Sequence, residues 1–239
     1  MRINWNYIKG IVLLALTAVM LAFGTIKNND RILRDASIVF VGKHKLFLTH
    51  ENVNNLLVQK NQSLKNEQKE TLALNEVELA LKSNKLVKNA EVSVSVDGDV
   101  RIEIEQKTPI ARVITNDSYY VDNQGKAMPL SENYSARVPM VSGYVNPNDL
   151  SALTKLAQRI EQDVFYKTQV VHIHANENNT FTMRLRTYDF VIQLGDLNAL
   201  DKKLTNFKAF YKEADESNQL NRYKAINLKF DNQVICTKK

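Results

Sequence analysis

The chain of 239 residues has a single cysteine, Cys236, so no intrachain disulfide can staple it and packing alone must hold the fold. Glycine and proline are also scarce, at 7 and 4 residues. That scarcity excludes collagen-like and linker-rich architectures and leaves little material for a loop that cradles phosphates. No G-x-x-x-x-G-K-[ST] stretch occurs, which argues against ATP use. No G-x-S-x-G elbow occurs either, and Ser142-Gly143 reads as a turn, not as a nucleophile on a strand–helix junction. Cys236 has no evident helix N-terminus to activate it. Nothing points to an enzyme, a cofactor or a small-molecule substrate.

What is present is an ordinary globular composition, 44% apolar and 24% charged. The net charge of +6 is unevenly spread. Residues 1–34 hold Arg2, Lys9, Lys27, Arg31 and Arg34 against Asp30 alone, leaving 27 basic and 25 acidic side chains in the remainder. The excess flanks a hydrophobic segment, where it suits lipid headgroups, and is not gathered on the folded part as a nucleic-acid surface requires.

Gly10 to Ile26 is a run of 17 residues without a charge, bounded by Lys9 and Lys27 and preceded by Trp5 and Tyr7. As a helix it extends roughly 26 Å, slightly short of a hydrocarbon core, and the lysine stems can snorkel to make up the difference. The run is longer than a signal peptide needs and no A-x-A site follows it, so an uncleaved transmembrane helix over 10–27 is expected. Cations on the two flanks nearly balance, so charge leaves the orientation open.

Ala36 to Val41 reads as a β-branched strand. Thr49 can cap a helix with Val53, Leu56 and Leu57 on its apolar face, and Leu74, Val77 and Leu81 mark a second helix. The polar stretch 59–71 between them reads as a loop. Val92, Val94 and Val96, then Val100, Ile102 and Ile104, alternate with polar residues and predict a hairpin with one buried and one wet face. Placing Val96 opposite Val100 gives the three-residue turn Asp97-Gly98-Asp99. The order strand, helix, helix, strand, strand over 36–106 is that of a small α/β module. Thr108-Pro109 suggests a boundary near residue 107.

Residues 107–239 read as strand-rich with two helices. Strands are expected at Ala111–Thr115, Tyr119–Asp122, Val170–His174, Phe181–Arg186 and Phe190–Leu194. One helix begins near Leu150 and uses Leu153, Leu156, Ala157 and Ile160. The other begins at Asp196, read as its cap, and uses Leu200, Leu204, Phe207 and Phe210. Ala225 to Cys236 reads as one closing strand with Ile226, Leu228 and Phe230 on one side.

Few constellations could carry chemistry. His172 and His174 share one strand face, but zinc needs a third ligand that no nearby cysteine or acidic cluster supplies. Glu103 and Glu105 lie on the wet face of the hairpin and serve solubility. Asp122, in the VDNQG turn, reads as an Asx-type turn former.

The stretches LVKNAEVSVSVDGDVRIEIEQKTPIARV (86–113), YYVDNQGKAMPL (119–130), RVPMVSGYV (137–145), QLGDLNALDKKL (193–204) and INLKFDNQVI (226–235), in this order behind an N-terminal apolar helix, resemble the FtsQ/DivIB family of bacterial cell-division proteins. The turn Asp97-Gly98-Asp99 departs from the proline common there. The resemblance implies an α+β chain: a cytoplasmic tail (1–9), a transmembrane helix (10–27), a juxtamembrane linker (28–35), a POTRA domain (36–106, β-α-α-β-β) and a β domain (107–239). It implies a bitopic bacterial inner-membrane protein with its N-terminus in the cytoplasm and its domains in the periplasm at the division septum. It further implies a non-catalytic divisome scaffold that supports septal peptidoglycan synthesis and recruits FtsB (DivIC) and FtsL by strand addition to its last strand. Ile226, Leu228, Lys229, Phe230, Asn232 and Val234 are then the expected partner-binding residues, with Phe230 as aromatic anchor and Lys229 as the charge for an acidic partner. The competing readings are a POTRA-bearing component of an outer-membrane assembly or secretion system, and a membrane-anchored periplasmic hydrolase.

Overall fold

A computed structural model describes residues 5–29, 36–42, 46–59, 74–95, 97–115, 117–230 and 233–239. The loop expected at 59–71, most of the linker at 28–35, Val96 and Asn232 fall largely or wholly outside them. The backbone divides into two compact units, Met1–Gln106 and Lys107–Lys239.

Helix α1 (Trp5–Asn29) opens the first unit and contains the uncharged run. Its described apolar side chains face outward, with Leu14 71% and Leu21 72% exposed. Among the described residues, which take in the α1 side chains of 9–22 but not the whole run, no helix is long and apolar enough to cross a membrane.

Strands β1 (Ala36–Val41), β2 (Val87–Val94) and β3 (Val100–Gln106) form a sheet in the order β1-β3-β2, with β1 parallel and β2 antiparallel to β3. Helices α2 (His50–Gln59) and α3 (Leu74–Lys82) lie between β1 and β2 in the chain. Thr49 caps α2 reciprocally: its Oγ1 accepts from the Asn52 amide at 3.2 Å, and Asn52 Oδ1 accepts from the Thr49 amide at 3.0 Å. This is a capping box with asparagine in the acidic position. Val53, Leu57, Val77 and Leu81 are buried from the helices, and Ala90, Val92, Val100, Ile102 and Ile104 from the strands. These five are even-numbered, as alternation requires; Val87, buried beyond the register shift between Val87 and Asn89, is odd-numbered.

The hairpin closes one residue earlier than expected. Val94, not Val96, stands opposite Val100. The Ser95 amide bonds Asp99 O at 2.9 Å and the Gly98 amide bonds Ser95 O at 3.2 Å, so three residues separate the closing pair Ser95 and Asp99. A three-residue hairpin loop needs a left-handed residue at its last position. Gly98, at φ +88°, supplies it, whereas a 97–99 loop demands that conformation of Asp99. The two-residue shift in pairing leaves the described side chains of Val92, Val100, Ile102 and Ile104 on their expected face.

The second unit carries a nine-stranded sheet: β4 (Pro109–Val113), β5 (Tyr119–Asp122), β6 (Ala127–Met128), β7 (Met140–Gly143), β8 (Val170–Ala175), β9 (Phe181–Leu185), β10 (Val191–Gly195), β11 (Tyr223–Asn227) and β12 (Ile235–Lys238). Their order is β12-β11-β10-β9-β8-β7-β4-β5-β6, an open sheet with β12 and β6 at its ends. Register places Val113, Val141, Ile173, Met183, Ile192 and Ile226 in one row across six strands. All six are 0% exposed. Leu153, Leu156, Ala157 and Ile160 of α4 (Ser151–Gln162), Tyr166 of α5 (Val164–Gln169) and Leu204 and Phe207 of α6 (Leu200–Glu216) complete that core.

Strands β6 and β7 and helix α5 are elements that the sequence pattern does not reveal. Helix α6 begins at Leu200, not Asp196. Ala199 stands before it in a left-handed conformation at φ +49°, with no side-chain cap. Asp196 instead accepts Lys203 Nζ at 2.7 Å, a lysine that is only 3% exposed; the Lys203 ammonium holds its carboxyl below the usual carboxylate range. The expected closing strand Ala225–Cys236 is two antiparallel strands, β11 and β12. Asn227 ends β11, because its Oδ1 accepts from the Lys229 amide at 2.9 Å in an Asx turn.

Candidate partner-binding edge

The row of buried residues that crosses the sheet ends at Cys236 of β12, which pairs with Ile226. Cys236 is half-buried against the core, and burial pushes its thiol pKa up. A thiol held protonated is a packing group, not a nucleophile. Strand β11 is parallel to β10 on one side and antiparallel to β12 on the other, so its own chain covers both of its edges. β12 pairs on one side only among the described residues. The border of the sheet at the chain's C-terminal end is therefore Ile235–Lys238.

This relocates the border expected around Phe230. Ile226 and Leu228 are 0% and 1% exposed and belong to the core; their part is to hold β11 in place, with the Leu228 amide bonded to Gln193 O at 2.9 Å. Phe230 is 49% exposed and Lys229 is exposed, both in the segment between the strands. The Lys229 stem lies against Gly195, where an added Cβ meets Lys229 Cγ at 2.9 Å. Val234 is half-buried just before β12, and Ile235 on β12 is 40% exposed. Asn232 lies outside the described residues. Residues 222–239 contain Arg222, Lys224, Lys229, Lys238 and Lys239 against Asp231 alone. The edge thus combines unpaired strand backbone, exposed apolar side chains at Phe230 and Ile235, and a strong positive bias. Unpaired strand edges template strand pairing, and neighbouring side chains confer selectivity. The spacing of the two strands was the missed signal, because a strand of twelve residues is twice the usual length.

The histidine pair sits elsewhere on the sheet. Ser142 Oγ lies 3.1 Å from His172 Nε2 and 3.0 Å from His174 Nδ1, so both imidazoles converge on one hydroxyl. Burial, with help from His174 and Arg184, lowers the His172 pKa, which favours the neutral ring. No group of three or more His, Cys, Asp or Glu side chains gathers as metal ligands among the described residues. Ser142 lies within β7, beside Gly143 at φ +90°, and among the described residues its hydroxyl meets the two imidazoles. A hydroxyl activated by a histidine needs that histidine oriented by an acid, and among the described residues neither ring has one in hydrogen-bond contact.

Asp122 is 1% exposed. Its Oδ1 accepts from the amides of Gln124 at 2.9 Å and Lys126 at 2.8 Å, and its Oδ2 lies 3.1 Å from Lys107 Nζ. Every oxygen is committed to shaping the turn, as the sequence reading anticipated.

A family model described as "FtsQ/DivIB, C-terminal related" matches residues 108–237. A second, a POTRA-like domain, matches residues 38–105. No curated protein matches the chain.

Proposed function

The chain belongs to the FtsQ/DivIB family, and from that membership we propose that it is a membrane-anchored, non-catalytic scaffold of the bacterial division machinery. Its β12 edge accepts a strand from FtsB (DivIC) and thereby brings in FtsL. The observation that carries this reading is the one-sided pairing of β12 at the end of a nine-stranded sheet. Backbone N–H and C=O groups of Ile235–Lys238 supply affinity by continuing the sheet, Phe230, Val234 and Ile235 supply apolar contact, and Lys229, Lys238 and Lys239 select an acidic partner.

Anchoring is carried by residues 10–26, an uncharged run within a 25-residue helix that extends about 38 Å. The outward apolar side chains of α1 need a nonaqueous surrounding. On this reading the N-terminus is cytoplasmic and both units lie in the periplasm at the division site. A pull-down with the periplasmic part of FtsB tests the function: the wild type captures it and Phe230→Asp does not, although the variant keeps its thermal transition. Capture undiminished in a folded Phe230→Asp protein overturns the role of this edge.

A further inference from the structure

The sheet of the first unit has an exposed border of its own, and a helix side chain stands on it. Strand β2 pairs with β3 on one side only among the described residues. The Ser95 amide bonds Asp99 O, which makes the odd-numbered residues of β2 the ones that exchange hydrogen bonds with β3. The even-numbered ones, Ala90, Val92 and Val94, turn their N–H and C=O groups outward. The Val92 amide meets Glu78 Oε1 of α3 at 2.9 Å. Lys82, one helical turn further on, holds the other carboxylate oxygen at 3.3 Å. The central outward donor of the strand is therefore already taken, by a side chain that occupies the place where a neighbouring strand would lie.

The strand is suited to pairing with itself. A two-fold axis through Val92 sets Ala90 opposite Val94 of a second copy and Glu91 opposite Ser93, with no like charges facing each other. Native sheets suppress such edges with charges placed on them. We propose that Glu78 is an edge guard, whose hydrogen bond to the Val92 amide keeps β2 from pairing antiparallel with β2 of a second copy of this chain. The idea is independent of how β12 recruits a partner. It closes the β2 border of the first sheet to strand addition.

Sedimentation of the full chain in detergent micelles tests it, with amide exchange recorded in parallel. Glu78→Ala raises self-association at least tenfold over wild type. Glu78→Gln retains an acceptor oxygen and stays near wild type. Adding Val92→Pro to Glu78→Ala removes the outward donor without touching a β3 bond and returns association to the wild-type level. In wild type the Val92 amide is protected; in Glu78→Ala at high dilution that protection alone falls. The proposal is overturned if Glu78→Ala associates no more than wild type, or if the proline does not reverse the gain. Loss of protection at Glu91 and Ser93 in Glu78→Ala also overturns it, because Glu78 is then a support of the fold and not a guard.

Discussion

Replacing Asp122 with alanine removes a carboxylate that is buried and fully committed. Two backbone amides and one ammonium depend on it, with Lys107 Nζ at 3.1 Å and side-chain exposures of 15% and 1% for the pair. Stranding the partner of a buried ion pair costs about 3–5 kcal/mol. The amides of Gln124 and Lys126 lose part-buried bonds as well, so the expected loss is about 4 kcal/mol or more. Asp122→Asn separates the contributions. It keeps an acceptor for the two amides and removes only the charge facing Lys107, for an expected cost of about 1–3 kcal/mol. Combining it with Lys107→Met, which removes the stranded ammonium, should recover much of that loss, a coupling that a double-mutant cycle measures directly. Urea unfolding of wild type, Asp122→Ala, Asp122→Asn, Lys107→Met and the double variant, followed by circular dichroism, gives the differences. If Asp122→Ala lies within about 0.5 kcal/mol of wild type, the usual range for an unimportant surface change, the reading of this turn is wrong.

Other consequences are equally concrete. Gly143→Ala forces a Cβ to 2.1 Å from Ala175 O at φ +90°; it should destabilise by about 2 kcal/mol or more, seen as a lowered Tm. Glu78 is held below the ordinary glutamate range chiefly by the Val92 amide, against burial and with help from Lys82. Its contribution is therefore present above pH about 4.3 and is lost as pH falls through the lowered folded value, so wild type and Glu78→Ala should converge in stability in acid. His172, lowered chiefly by burial, stabilises the fold above its ordinary value of about 6.5 and loses that contribution as pH drops toward the folded value. His172→Gln should flatten this part of the pH–stability curve. Ile226→Asp buries a charge at a 0% exposed position and should abolish folding of the second unit, unlike Phe230→Asp.

Legibility in the sequence followed the period of the side chains. Val92, Val100, Ile102 and Ile104 are buried as read, because alternation is a local signal. The loop between them was misplaced because pairing alone left Val96 and Val94 equivalent, and the conformational demand on Gly98 decides between them. The α4 stripe Leu153, Leu156, Ala157 and Ile160 is buried as read, since helical spacing is equally local. Strands β6 and β7 have no pattern of their own: Met140 and Ser142 face outward beside His172 and His174 only because β7 lies parallel to β8, a pairing about 30 residues apart. The terminal segment failed for a similar reason. Ile226, Leu228 and Phe230 share a two-residue period, but β11 ends with the Asx turn at Asn227, between the first and second of them.

The edge assignment is tested most directly by amide hydrogen exchange of the full chain with and without the periplasmic segment of FtsB. Strand addition should slow exchange within Ile235–Lys238 while leaving Ile226 and its β10 neighbours, already buried and paired, unchanged. Binding that leaves 235–238 exchanging at the rate of the free protein would contradict the account.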